Sequence, residues 1–180
     1  MTSNKEKGDE FRDRVSVYFQ NKGYTLKPEY KVEIGFGSLK KIHPFDLGNE
    51  QVLIACKKYR WAETGTHRSG MFATLNETML IFCAAPTKYR KLLFVWKSPK
   101  NNKRKSETIV EYYISHHGNL IPNDIEVWEF DETNLTAEKK FPNDPQSVKL
   151  GGIWKGTKIS EEEIDENRTD LLDKLEQRWK

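Results

Sequence analysis

Asp46 and Lys57 are the residues whose types and spacing could do chemistry. Residues 43–58 read His-Pro-Phe-Asp-Leu-Gly-Asn-Glu-Gln-Val-Leu-Ile-Ala-Cys-Lys-Lys. This is a strand ending in an acid, a short polar turn, and an apolar strand carrying a lysine. An acid and an amine brought together on one sheet suit hydrolysis of a phosphodiester. That reaction needs an activated water, an in-line approach and neutralisation of charge on the phosphate, and a divalent cation can serve all three. Magnesium takes hard oxygen ligands: one or two carboxylates, a carbonyl, waters and the substrate phosphate. A nearby lysine orients the water and stabilises negative charge. Such a site calls for a second carboxylate two residues before Lys57, and the chain has Ala55 there.

Strand register decides whether these groups meet. If Asn49 to Val52 close the loop so that Gly48 pairs with Leu53, Asp46 lies opposite position 55. Positions 55 and 57 then share a face, about 6–7 Å apart, while Cys56 points away. A tighter turn at Asn49-Glu50 would put Asp46 opposite Leu53 instead, one step off.

The elements that must position this hairpin are legible along the chain. Residues 8–22 form a helix, with Phe11, Val15, Tyr18 and Phe19 at helical spacing, Asp9 and Glu10 in its first turn, and Gly23 as its stop. Strands follow at 30–37, 40–46 and 52–59. Residues 60–70 are a polar loop, 71–84 a buried helix, 91–96 a strand, and 97–105 a basic loop. Residues 106–117 form a helix capped by Ser106. Residues 125–130 form the last strand. Helices between strands make this an α/β chain with a mixed central sheet flanked by helices. The core spans 1–131. Residues 132–180 add an irregular segment and a C-terminal amphipathic helix (160–180, with Leu171, Leu172, Leu175 and Trp179) to the same domain.

Composition sets limits. The chain has 180 residues, 36% hydrophobic, 32% charged and 12% aromatic, which suits one folded domain. A net charge of +3 gives no argument for nucleic acid by itself, so the argument rests on distribution. The loop 60–70 offers Arg60, Thr66, His67 and Arg68, and the loop 97–105 offers Lys103, Arg104 and Lys105, as phosphate or base contacts. Cys56 and Cys83 sit in apolar segments without metal-ligand spacing and read as buried free thiols. His116-His117 suits a helix terminus, and Trp96, Trp128 and Trp154 suit packing. Met1 to Arg14 is polar and no apolar run approaches the ~20 residues that cross a bilayer, so the expectation is a cytoplasmic protein without a membrane partner.

The order of elements and the motif around Asp46 and Lys57 resemble the PD-(D/E)xK nuclease superfamily, which includes many restriction endonucleases. The resemblance covers most of residues 8–131 and implies a restriction-endonuclease-like core. It implies Asp46 as the first metal-binding acid, Lys57 as the lysine of the motif, and Glu10 as the acid near the start of the first helix. It implies Mg2+ (or Mn2+) held by Asp46, by the group at position 55 and by the Cys56 carbonyl. Ala55 stands where the family has an acid. Three explanations apply: an engineered substitution, a natural loss that leaves a nucleic-acid-binding module, or a role taken by another acid such as Glu10, Glu33 or Glu77. The implied activity is a metal-dependent DNA endonuclease of the restriction or defence type. Its substrate is double-stranded DNA, and it works as a homodimer because cutting two strands with one site per chain takes two chains.

Overall fold

The computed structural model describes residues 3–62, 70–99 and 107–142. Six strands form one mixed sheet whose spatial order follows the chain. They are β1 (Lys27–Ile34), β2 (Lys41–Gly48), β3 (Val52–Lys57), β4 (Arg90–Trp96), β5 (Ile125–Asp131) and β6 (Thr136–Phe141). The pairs β1–β2, β2–β3 and β5–β6 are antiparallel, while β3–β4 and β4–β5 are parallel. The parallel pairs are joined through helices α2 (Met71–Ala84) and α3 (Ile109–His117), as parallel connections require. The α/β class and the mixed sheet expected from the sequence are therefore present.

Helix α1 (Asn4–Gln20) begins four residues earlier than the apolar spacing indicates, because Ser3 and Glu6 close a reciprocal capping box. Glu10 accordingly lies past the first turn. Phe11, Val15 and Phe19, at intervals of four, bury one stripe of α1 against Leu47, Ile54, Phe94 and Phe130 on one face of the sheet. On the other face α2 and α3 cover Phe45, Leu53, Ala55, Leu93 and Val127. Strand β3 is buried on both sides from Val52 to Ala55, as its continuous apolar run requires.

Three expectations need correction. Helix α3 is capped by Thr108, not Ser106, through a capping box with Glu111. β5 is not the last strand: Thr-Ala-Glu-Lys-Lys-Phe pairs with it as β6, following a turn in which Asp131 accepts from the amides of Thr133 and Asn134. An edge strand with one covered face needs little apolar sequence, so periodicity missed it. Finally, Cys83 is exposed and Cys56 half-buried, so the thiols are not a buried pair. The expected helix at 160–180, and Trp154, lie outside the described residues.

Glu129 on β5 is nearly fully buried, and its Oε1 has no hydrogen-bond partner. Burial raises its pKa above the ordinary value of 4.5 and Glu111 adds to this, while Thr108, Lys140 and Lys97 oppose it. The folded state therefore holds a proton that the unfolded chain has released, and stability falls as pH rises from about 4.5 through the folded pKa. Glu129→Gln is expected to flatten that slope. Urea unfolding of both proteins at pH 5 and pH 8 checks it, and parallel slopes would contradict it.

Candidate active site

The β2–β3 hairpin takes the wider of the two turns, with Asn49 to Val52 closing the loop. Gly48 pairs with Leu53 and Leu47 with Ile54, and the regular pairing ends there. Asn49 fixes the turn. Its amide donates to the Val52 carbonyl at 3.0 Å, and its side-chain oxygen accepts from the amides of Gln51 and Val52. Gly48 is needed here, because a Cβ would come within 2.8 Å of Cδ1 of Tyr30, which lies across it from β1.

At Asp46 the ladder stops. The next bonded pair in an antiparallel ladder would join Phe45 to Cys56. Instead the Cys56 amide donates to Oδ2 of Asp46 at 2.7 Å. Both neighbouring strands change character at this point. Glu29, opposite Asp46 in the β1 register, takes a positive φ of 49°. Phe45 packs with the α2 face while Leu47 packs with the α1 face, although they are two residues apart. Strand β2 thus turns over at Asp46 and leaves β3 open from Cys56 onward. The Cys56 carbonyl, on the same strand edge as its amide, faces the gap that Asp46 occupies.

Lys57 follows on β3, beside Val95 of β4, and the C-terminal end of β3 opens into a cleft of about 540 Å3. Lys7 lines it from α1. Cys56, Lys57, Lys58, Tyr59 and Arg60 line it from β3 and the residues beyond, and Gly70, Met71 and Thr74 from the start of α2. The lining is cationic, but not all of it is available. Lys58 donates to both carboxylate oxygens of Glu132, at 2.8 and 2.7 Å. Arg60 lies 5.4 Å from the centre of the Trp96 ring.

His43 joins this group and was not picked out from sequence. It lies two residues before Phe45, which places it on the α2 face, and its ring meets that of Phe45 edge-on at 4.9 Å. Burial lowers the His43 pKa. Asp46 and Glu77 pull it up, while Lys57 and Lys41 push it down. One imidazole thus feels both carboxylates and the Lys57 amine. The Cys56 thiol is held well above its ordinary pKa, chiefly by burial and then by Asp46. The contribution expected of Cys56 is its carbonyl.

The remaining site residues separate. Ala55 is only 6% exposed and packs in the apolar cluster under α2, so its methyl is part of the core. Glu10 is exposed on α1. Arg60 reaches the cleft, whereas Thr66, His67, Arg68, Lys103, Arg104 and Lys105 lie outside the described residues. His116 and His117 end α3 as expected, with His116 stacked on Tyr112 at 3.9 Å. Trp96 and Trp128 pack against the core of the α1 face.

Among the described residues no three histidine, cysteine or acidic side chains stand close enough to hold a metal. Magnesium does not need three, since one or two carboxylates with a carbonyl, waters and a phosphate suffice. Asp46 and the Cys56 carbonyl fit that minimum, and Ala55 adds nothing to it. Among the described residues no helix is long and apolar enough to cross a membrane.

No family model matches the chain, and no curated protein or solved structure does either.

Proposed function

We propose that the chain is a metal-dependent phosphodiester hydrolase acting on DNA, with a restriction-endonuclease-like core and its site where β2 parts from β3. The observation that carries this reading is the interrupted ladder. Asp46 takes the place of a backbone partner at Cys56, so a carboxylate and a carbonyl edge one gap, beside Lys57 in a cationic cleft. Asp46 and the Cys56 carbonyl would hold Mg2+ or Mn2+, which when bound supplies a more acidic water and neutralises phosphate charge. Lys57 donates hydrogen bonds to a phosphate oxygen and holds the attacking water in line. Lys7 binds a flanking phosphate, giving salt-sensitive, sequence-independent affinity. Double-stranded DNA as the substrate, and a homodimer as the cutting species, belong to this proposal.

A second reading is favoured by the burial of Ala55: the same fold as a catalytically silent nucleic-acid-binding module. The two are separated by Ala55→Glu. A carboxylate ligand that nothing replaces is worth about 4 kcal/mol in the transition state, a factor of about a thousand. The nuclease reading expects Ala55→Glu to raise Mg2+-dependent nicking of supercoiled plasmid, and Asp46→Asn to abolish it in that background. Continued inertness with retained, salt-sensitive DNA binding would favour the module.

A further inference from the structure

Strand β1 is an edge of the sheet: among the described strands it pairs with β2 alone. Two prolines show which of its backbone groups are left over. Pro44 faces Lys31 and has no amide to give, so Lys31 takes a non-bonded position of the ladder, and the bonds to β2 fall at Tyr30, Val32 and Ile34. The amides and carbonyls of Lys31 and Glu33 therefore point away from β2, along the open edge. On the far side of the kink at Glu29 the outward position belongs to Pro28, which offers no amide. At the other end the Gly35 amide is already bonded to the Ala84 carbonyl of α2. The usable edge is the run from Tyr30 to Ile34. Lys31 and Glu33 are exposed there, and Ile42 shares their face. Ile42, and Phe36 and Leu39 in the turn beyond β1, are large apolar side chains open to solvent. The ion pair of Glu33 with Lys40, 3.6 Å between two exposed side chains, is weak enough to yield.

An open edge accepts another strand, and the charges on this one select which. Against a second β1 running antiparallel about a two-fold axis, the outward groups allow three registers. Lys31 opposite Lys31, or Glu33 opposite Glu33, sets like charges face to face. Lys31 opposite Glu33 joins opposite charges at two symmetric pairs, uses both outward residues of both chains, and leaves Val32 facing its own copy and Tyr30 facing Ile34. We propose that β1 is a self-association edge: two copies of the chain join antiparallel through residues 30–34, with Lys31 of each opposite the partner's Glu33, making one sheet continuous across both chains. The inference takes the need for a homodimer from the proposed nuclease reading, although the pairing of the strands does not depend on catalysis.

Sedimentation velocity of the full chain over a concentration series tests it. The native chain is expected to form dimers, more weakly as salt rises. Lys31→Glu and Glu33→Lys each place like charges at both cross-strand pairs, and each is expected to raise the dimer dissociation constant at least about tenfold. Combining the two substitutions in one chain restores opposite charges and should restore the dimer. An equimolar mixture of the two single variants should form the mixed dimer, a recovery that damage to the fold would not allow. A native chain that stays monomeric throughout, or a dimer that Lys31→Glu leaves as tight as before, overturns the inference. If charge exchange governs the dimer while the dimer cuts no DNA with or without Ala55→Glu, the assignment of the edge stands and the nuclease reading falls.

Discussion

Lys57→Met is expected to lower Mg2+-dependent plasmid cleavage by the Ala55→Glu chain about 10²- to 10⁴-fold while leaving its unfolding midpoint nearly unchanged. The reason is position. Lys57 closes β3 next to Val95, at the end of the parallel strands, with its side chain half-buried and turned to the cleft. It makes no described ion pair, unlike Lys58, whose ammonium is fixed on Glu132. Removing the amine therefore costs little packing and removes the group proposed to face the reacting phosphate. Single-turnover cleavage under saturating DNA, beside a thermal melt, separates the two effects. A lysine whose loss lowers stability but not rate would be a structural residue.

Phe11→Ala carries the largest expected effect on stability. Phe11 is fully buried and meets Phe130 edge-on at 5.9 Å, pinning α1 to the sheet beside Leu47 and Ile54. Truncating a buried phenylalanine costs about 3–5 kcal/mol, which for a chain of this size lowers Tm by about 10 °C. The same helix brings Lys7 to the cleft, so the variant should also bind DNA more weakly at temperatures where it remains folded. Calorimetry and salt-dependent binding at low temperature check both parts. An unchanged Tm would mean that α1 is not part of the cooperative core.

Helices and strands with an apolar signature were legible from sequence. The bounds of α2 follow from Gly70 before it and Pro86 after it, and the alternation of Ile125, Val127 and the residues beyond gives β5. Elements set by polar side chains were less legible. The capping boxes of Ser3 with Glu6 and Thr108 with Glu111 shift two helix starts, and β6 holds its place by pairing rather than by composition. The same division applies to the candidate site. Turn chemistry at Asn49 fixes the register that pairs Gly48 with Leu53, one of the two registers that the sequence allows. The interruption of the ladder could not be read, because it depends on a carboxylate displacing a backbone acceptor at Cys56. His43 had a signal, two residues from Phe45 on an alternating strand, but only the reversal of β2 at Asp46 shows which face it occupies. Burial of Ala55 was likewise hidden, since it depends on how closely α2 lies over β3.

The proposed hydrolysis depends on a divalent cation bound in the gap between Asp46 and the Cys56 carbonyl. Anomalous scattering from a crystal of the full chain soaked in Mn2+ with a DNA duplex tests it most directly. The expected result is a metal peak within bonding distance of an Asp46 carboxylate oxygen and the Cys56 carbonyl, with a phosphate oxygen adjacent and the Lys57 amine facing it. A well-ordered Asp46 with no metal beside it, or Mn2+ bound only elsewhere on the chain, would contradict the account.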